Sequence, residues 1–179
     1  MRKLTWIIVF IILSIKLSGQ TFKEAKDPLI NWNNVESGLN ISYVSTDKKY
    51  AKHEVPFVKD RTEEELTGWK GEKLSAQLLI WTIAETKQVK VEFDNFVSDS
   101  NTLPSSIAKS RFVRYVITDE FGPGCGYRKA EDFPASLTAD MLDNIETFDV
   151  SAKTVRPVWI TIDIAIGHTI STYGNILLR

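Results

Sequence analysis

Cysteine and histidine are scarce in this chain: Cys125 is the single thiol, and His53 and His168 are the two imidazoles in 179 residues. One thiol excludes an intrachain disulfide, so burial of apolar surface has to hold the fold together. A nucleophilic cysteine needs a base beside it, and neither histidine sits in a recognisable pairing motif. A partly buried thiol in a glycine-rich loop is the simpler reading of Cys125. The histidines are too far apart to supply zinc-ligand spacing. No Gly-x-Ser-x-Gly elbow is present, so a Ser-His-Asp arrangement has no sequence support.

Charge of one sign is also missing. Lys and Arg number 22, Asp and Glu 23, and the net charge is −1. That balance gives no electrostatic reason to expect nucleic acid, which needs a basic excess on some face. Lys48, Lys49 and Lys52 form the densest basic cluster and read as a solvated turn. Glu63, Glu64 and Glu65 are the one carboxylate run. Adjacent carboxylates repel and point apart, so they read as a solvated face and not as an acid/base pair. Asp94, Asp99, Asp119 and Glu120 fall at strand ends, where loop oxygens could hold a surface calcium. No EF-hand spacing supports that, and the expectation is no metal and no cofactor.

Long apolar runs are absent too. The longest, residues 4–15, is broken by Thr5 and Ser14 and ended by Lys16, short of the ~20 residues a spanning helix needs. Arg2 and Lys3 before it, and Ser18-Gly19-Gln20 after it, make residues 1–20 read as a cleaved export signal. No cysteine follows for lipid attachment. The expected location is periplasmic or extracellular, with no integral membrane segment after cleavage. Residues 21–38 then read as a linker that docks Leu29, Ile30 and Trp32 on the domain, and residues 39–179 as the domain itself.

What the sequence does contain is alternation. In residues 158–166, Val158, Ile160, Ile162, Ile164 and Ile166 share one face, with Trp159, Thr161, Asp163 and Ala165 on the other. This is the period of a strand with one buried face, and Pro157 suits its first position. Residues 74–83 are apolar on both faces, with Leu78 and Ile80 opposing Leu79 and Trp81, as in a central strand covered on two sides. Shorter alternations place Leu39, Ile41 and Tyr43 on one face, then Val89, Val91 and Phe93, then Val113, Tyr115 and Ile117. Residues 59–67 read as an acidic connection with room for one helical turn, and 98–110 as a polar loop. Residues 140–143 are ambiguous between strand edge and helical turn, and 176–178 close the pattern. The glycine cluster at 121–128 lacks the helix and Lys-Ser/Thr ending of a phosphate loop and reads as a tight structural loop. Together these segments predict an all-β antiparallel sandwich, jelly-roll or immunoglobulin-like, of seven or eight strands.

Aromatic residues are the main candidates for ligand contact. Trp32, Trp69, Trp159 and Tyr173 lie at strand ends or on a polar face, where an indole or phenol could stack on a pyranose ring. Burial in a core or a domain interface competes with that reading at each position.

Four short pieces, in order, then carry a resemblance: Gly68-Trp69-Lys70-Gly71-Glu72-Lys73 with Gln77 and Trp81; Arg114-Tyr115-Val116; Cys125-Gly126-Tyr127-Arg128; and Arg156-Pro157-Val158-Trp159 with Tyr173-Gly174. Across residues 28–179 the chain resembles the N-terminal domain of glycoside hydrolase family 123 and related exported multidomain proteins of Bacteroidetes-type bacteria. The resemblance implies an accessory β-sandwich preceding a (β/α)₈ barrel. In such enzymes the barrel removes terminal β-linked N-acetylgalactosamine, with the substrate's acetamido group as nucleophile and an Asp-Glu pair assisting. That pair has no matching positions here, and no catalytic residue is carried over. The resulting expectation is a non-catalytic module whose partners are the parent enzyme's glycan and a barrel in cis. A free-standing carbohydrate-binding module and a cell-surface interaction domain are the alternatives. The residues expected to contact sugar or a neighbouring domain are Trp69, Tyr127, Arg128, Trp159 and Tyr173.

Overall fold

The computed structural model of the protein describes residues 31–97, 102–118, 136–164 and 176–178. In chain order its strands are β1 (Leu39–Val44), β2 (Lys73–Thr82), β3 (Thr86–Phe93), β4 (Phe96–Val97) and β5 (Thr102–Leu103). They are followed by β6 (Ala108–Thr118), β7 (Ser136–Leu142), β8 (Thr147–Val150), β9 (Thr154–Asp163) and β10 (Ile176–Leu178). The isoleucine ribbon is β9, the middle strand of an antiparallel sheet ordered β1-β2-β9-β6-β7. A second sheet, β10-β3-β8, lies across it, and β4 and β5 form a small hairpin of their own. Expectation and structure agree on an antiparallel β-sandwich. Among the described residues, eight strands have three or more residues, and β4 and β5 add two residues each.

Period 2 explains which side chains meet. Ala76, Leu78 and Ile80 of β2, Val158 and Ile160 of β9 and Phe112 of β6 point between the sheets, against Val89, Val91 and Val150. Leu39, Ile41 and Tyr43 pack on the same core from β1. The opposite face of β2 is equally apolar because it is covered as well. Leu79 and Val155 are enclosed by Val44 and Tyr50, with Trp32, Val58 and Trp81 around them. Residues 45–61 form this outer cover. Gln77 Nε2 donates to the carbonyls of Ser45 (2.7 Å) and Lys48 (3.1 Å), and the Val155 amide to that of Lys52 (2.8 Å). Trp32 is docked by its indole N–H on the His53 carbonyl at 2.9 Å. Leu29 and Ile30 lie outside the described residues.

Several expectations are corrected. Residues 59–67 contain no helical turn. Residues 59–61 lie against β1, where Ser42 Oγ accepts from the Arg61 amide (3.0 Å) and the Tyr43 amide donates to the Arg61 carbonyl (2.9 Å). The stretch expected as a polar loop holds β5, a short 3₁₀ turn at Ser105–Ile107 and the start of β6. Leu103 and Ala108 draw it in, packing with Phe96 into a third small core. The ambiguous 140–143 stretch belongs to a strand over most of its length, since β7 ends at Leu142.

Pro157 is the fourth residue of β9 and fully buried, not the first. It is tolerated because the β6 pairing of β9 stops at Phe112↔Val158, one residue short of it. On the β9 face, Ile160 is fully buried and Ile164 nearly so, whereas Ile162 is only partly buried. Ala165 and Ile166 lie outside the described residues. In β6 the core-facing side chain is Phe112, and Ile117 is 65% exposed. Among the described residues no helix is long and apolar enough to cross a membrane.

Candidate functional site

Trp69 stands on a turn whose every backbone feature is explained by its sequence. Residues 69–72 close a β-turn, with the Glu72 amide donating to the Trp69 carbonyl at 3.0 Å. Gly71, at its third position, has φ +81°, the left-handed value that a type II turn requires and that glycine adopts without strain. The Trp69 amide donates to Glu72 Oε2 at 2.7 Å. The turn is then fastened to the end of β9: the Gly71 amide donates to the Ile164 carbonyl (2.8 Å) and the Ile164 amide to the Glu72 carbonyl (2.9 Å). These bonds extend the β2–β9 ladder by one pair beyond Lys73↔Asp163. Gly68 packs so closely on Leu74 that an added Cβ would lie 2.5 Å from its Cδ2. On this hydrogen-bonded backbone Trp69 is 83% exposed. Lys73 Nζ and Asp163 Oδ1 form an ion pair at 3.0 Å at the same end of the ladder.

Trp159 has a different setting. It is partly buried on the outer face of the five-stranded sheet, between its cross-strand partners Gln77 of β2 and Arg111 of β6. Gln77 is clamped by the cover formed by residues 45–48, so Trp159 flanks an enclosed area. Four residue steps along the strand lead from Trp159 to Asp163, a rise of about 13 Å. The structure therefore places the two tryptophans at different stations along β9, not in one cluster. Tyr127, Arg128 and Tyr173, the remaining expected contacts, lie outside the described residues.

A group that pattern reading overlooks is the arginine between the sheets. Arg156 faces inward from β9, and its guanidinium carbon lies 3.6 Å from the Phe148 ring centroid, the stacked geometry of a cation–π contact. Its Nη1 donates to the Val113 carbonyl. Burial pulls its pKa down, and the nearby Asp143 carboxylate opposes that shift. Asp143 is itself nearly buried and paired with Arg114 Nη2 at 2.6 Å. Period 2 puts Arg156 on the same face as Val158 and Ile160, so the alternation of the strand was itself the available signal. The donors and acceptors named here are bonded to one another, which makes the group a structural network. Among the described residues, no three or more His, Cys, Asp or Glu side chains gather where they could hold a metal ion.

The strand order and the covered two-sheet core define an antiparallel β-sandwich domain. Residues 43–177 match the glycoside hydrolase 123 N-terminal domain, and the chain belongs to that family. A similar solved structure is a family 123 glycoside hydrolase from Clostridium perfringens, described for its hydrolysis of glycolipid glycans. The likeness has a TM-score of 0.66 at 16% identity, covering 80% of this chain and 24% of that one. At that identity the likeness shows the fold. No curated protein matches the sequence.

Proposed function

We propose that this chain is a non-catalytic accessory module of an exported glycoside hydrolase of the N-acetylhexosaminidase type. Its role is to brace a (β/α)₈ catalytic barrel in cis and to border the glycan that the barrel cleaves. The match of residues 43–177 to the family's N-terminal domain carries this reading. Among the described residues, four aspartates are engaged by cations. Asp140, Asp143, Asp149 and Asp163 are each paired with a cation: Lys49, Arg114, Lys87 and Lys73. Glycoside hydrolysis instead needs carboxyl groups held facing a scissile bond. Export rests on the basic start and the short apolar run of residues 1–20.

The test is turnover of 4-nitrophenyl N-acetyl-β-D-galactosaminide by the purified chain. No release above the protein-free rate is expected, and sustained release would overturn the non-catalytic reading. N-terminal sequencing of protein secreted by a bacterial host checks the export step, with a start near residue 21 expected. A carbohydrate-binding role is the second reading, favoured by the exposed indole of Trp69.

A further inference from the structure

The geometry points to the Trp69 turn as a stacking platform for a pyranose ring. This deepens the accessory reading by naming where the module touches glycan. Three observations converge on the turn. The indole is nearly fully exposed although Trp is the side chain with most to gain from burial. Its backbone is held by bonds to Glu72 and by the Ile164 ladder pair, so ordering the platform costs a ligand little. And its neighbours in sequence, Gly68, Lys70, Gly71 and Glu72, are two glycines and two charged residues, the Glu72 carboxylate being bonded to the Trp69 amide.

That surrounding selects the occupant. A protein partner needs a contiguous apolar patch of several hundred Å² with aromatic anchors at its centre. A lone ring bordered by glycine and charge suits a sugar instead. The axial C–H groups of a pyranose form a small apolar face that meets the electron-rich face of the indole. The equatorial hydroxyls then point sideways to donors and acceptors, which Lys70 and the Lys73–Asp163 pair supply at this end of the ladder. Charged partners accept and donate such bonds more strongly than neutral ones. Phe57, exposed almost as fully, lies in the cover segment on no hydrogen-bonded turn, and serves as the control.

The experiment is saturation-transfer NMR on the whole chain, with chitotetraose and a tetrasaccharide ending in β-linked N-acetylgalactosamine as probes. Indole fluorescence is followed in parallel. Transfer to ring C–H protons of at least one probe is expected. Trp69→Ala should weaken its binding about tenfold, and Trp69→Tyr should hold it within about threefold, because only the first removes the aromatic face. Phe57→Ala should bind as the parent does, and all variants should melt together with it. Absence of transfer from the parent chain to either probe would overturn the platform. So would unchanged binding by Trp69→Ala, or an equal loss in Phe57→Ala. Turnover of the aryl glycoside would sink the accessory reading and leave the Trp69 result standing; the reverse outcome separates the two in the same way.

Discussion

The Arg156 guanidinium donates to the Val113 carbonyl, and does so where the sheet's own donor is missing. The Val155 amide points to Lys52, so odd-numbered residues of β9 turn their backbone groups away from β2. Residue 157 therefore faces β6, and Val113 is the position opposite it when the Phe112↔Val158 register is extended by one. Proline has no N–H to give there. The side chain of the preceding residue supplies the bond, and Phe148 shields it.

Removing Arg156 is expected to leave that carbonyl without its donor and to lose the cation–π contact. Arg156→Met should cost about 2 kcal/mol. Restoring the backbone amide with Pro157→Ala should reduce the cost of Arg156→Met by about 1 kcal/mol, because the two changes share one acceptor. Urea denaturation of the four proteins in the cycle measures this. Strict additivity would show that Pro157 and Arg156 do not share Val113.

The core face of β9 gives a graded expectation. Ile160 is fully buried, so Ile160→Asp buries an unpaired carboxylate and should prevent folding. Ile162 is only partly buried, and Ile162→Asp should be the milder lesion. Soluble yield and near-ultraviolet circular dichroism distinguish them. Equal tolerance of both would mean that the ribbon's faces are misassigned.

The turn that carries Trp69 depends on one left-handed residue. Gly71→Ala is expected to cost about 1–2 kcal/mol, since φ +81° crowds a Cβ against the following carbonyl. Thermal melting reads the loss. A variant as stable as the parent would argue that the turn can change type without harm.

Alkaline pH should weaken the fold through Tyr43. Its phenol pKa is pushed up to about 12, first by burial and then by the Glu64 carboxylate. The raised value means that the folded state holds its proton more tightly than the unfolded chain does. The contribution is thus complete below about pH 10, the ordinary tyrosine value, and is lost progressively as pH rises from there toward 12. Melting temperatures between pH 9 and 11.5 should fall, and Tyr43→Phe should flatten the fall. An identical slope in that variant would assign the effect elsewhere.

The fold was legible wherever burial is one-sided or complete. The double apolar character of residues 74–83 is the two-sided cover of β2, and the isoleucine alternation is β9. Alternation failed where cover is uneven. Val113 is nearly buried while Ile117, on the same side of β6, is mostly exposed. At Arg156 alternation gives the inward face, but not the Phe148 ring and Val113 carbonyl, distant in sequence, that receive the charge there. Residues 59–61 read as an acidic connection because what orders them is backbone bonding to β1, which leaves no hydrophobic period. For the site, Trp69 could be singled out among the aromatics, but its exposure could not. That depends on Gly71 and Ile164 fixing the turn outward.

The bond between the Tyr43 amide and the Arg61 carbonyl has a wider effect. It occupies a hydrogen-bonding position on the outer border of β1 that would otherwise invite a strand from a neighbouring molecule. A flap of the chain thus insulates one flank of the sandwich against fibre-like growth. Substitutions that loosen residues 59–61 should therefore show up first as self-association on storage, before any drop in thermal tolerance.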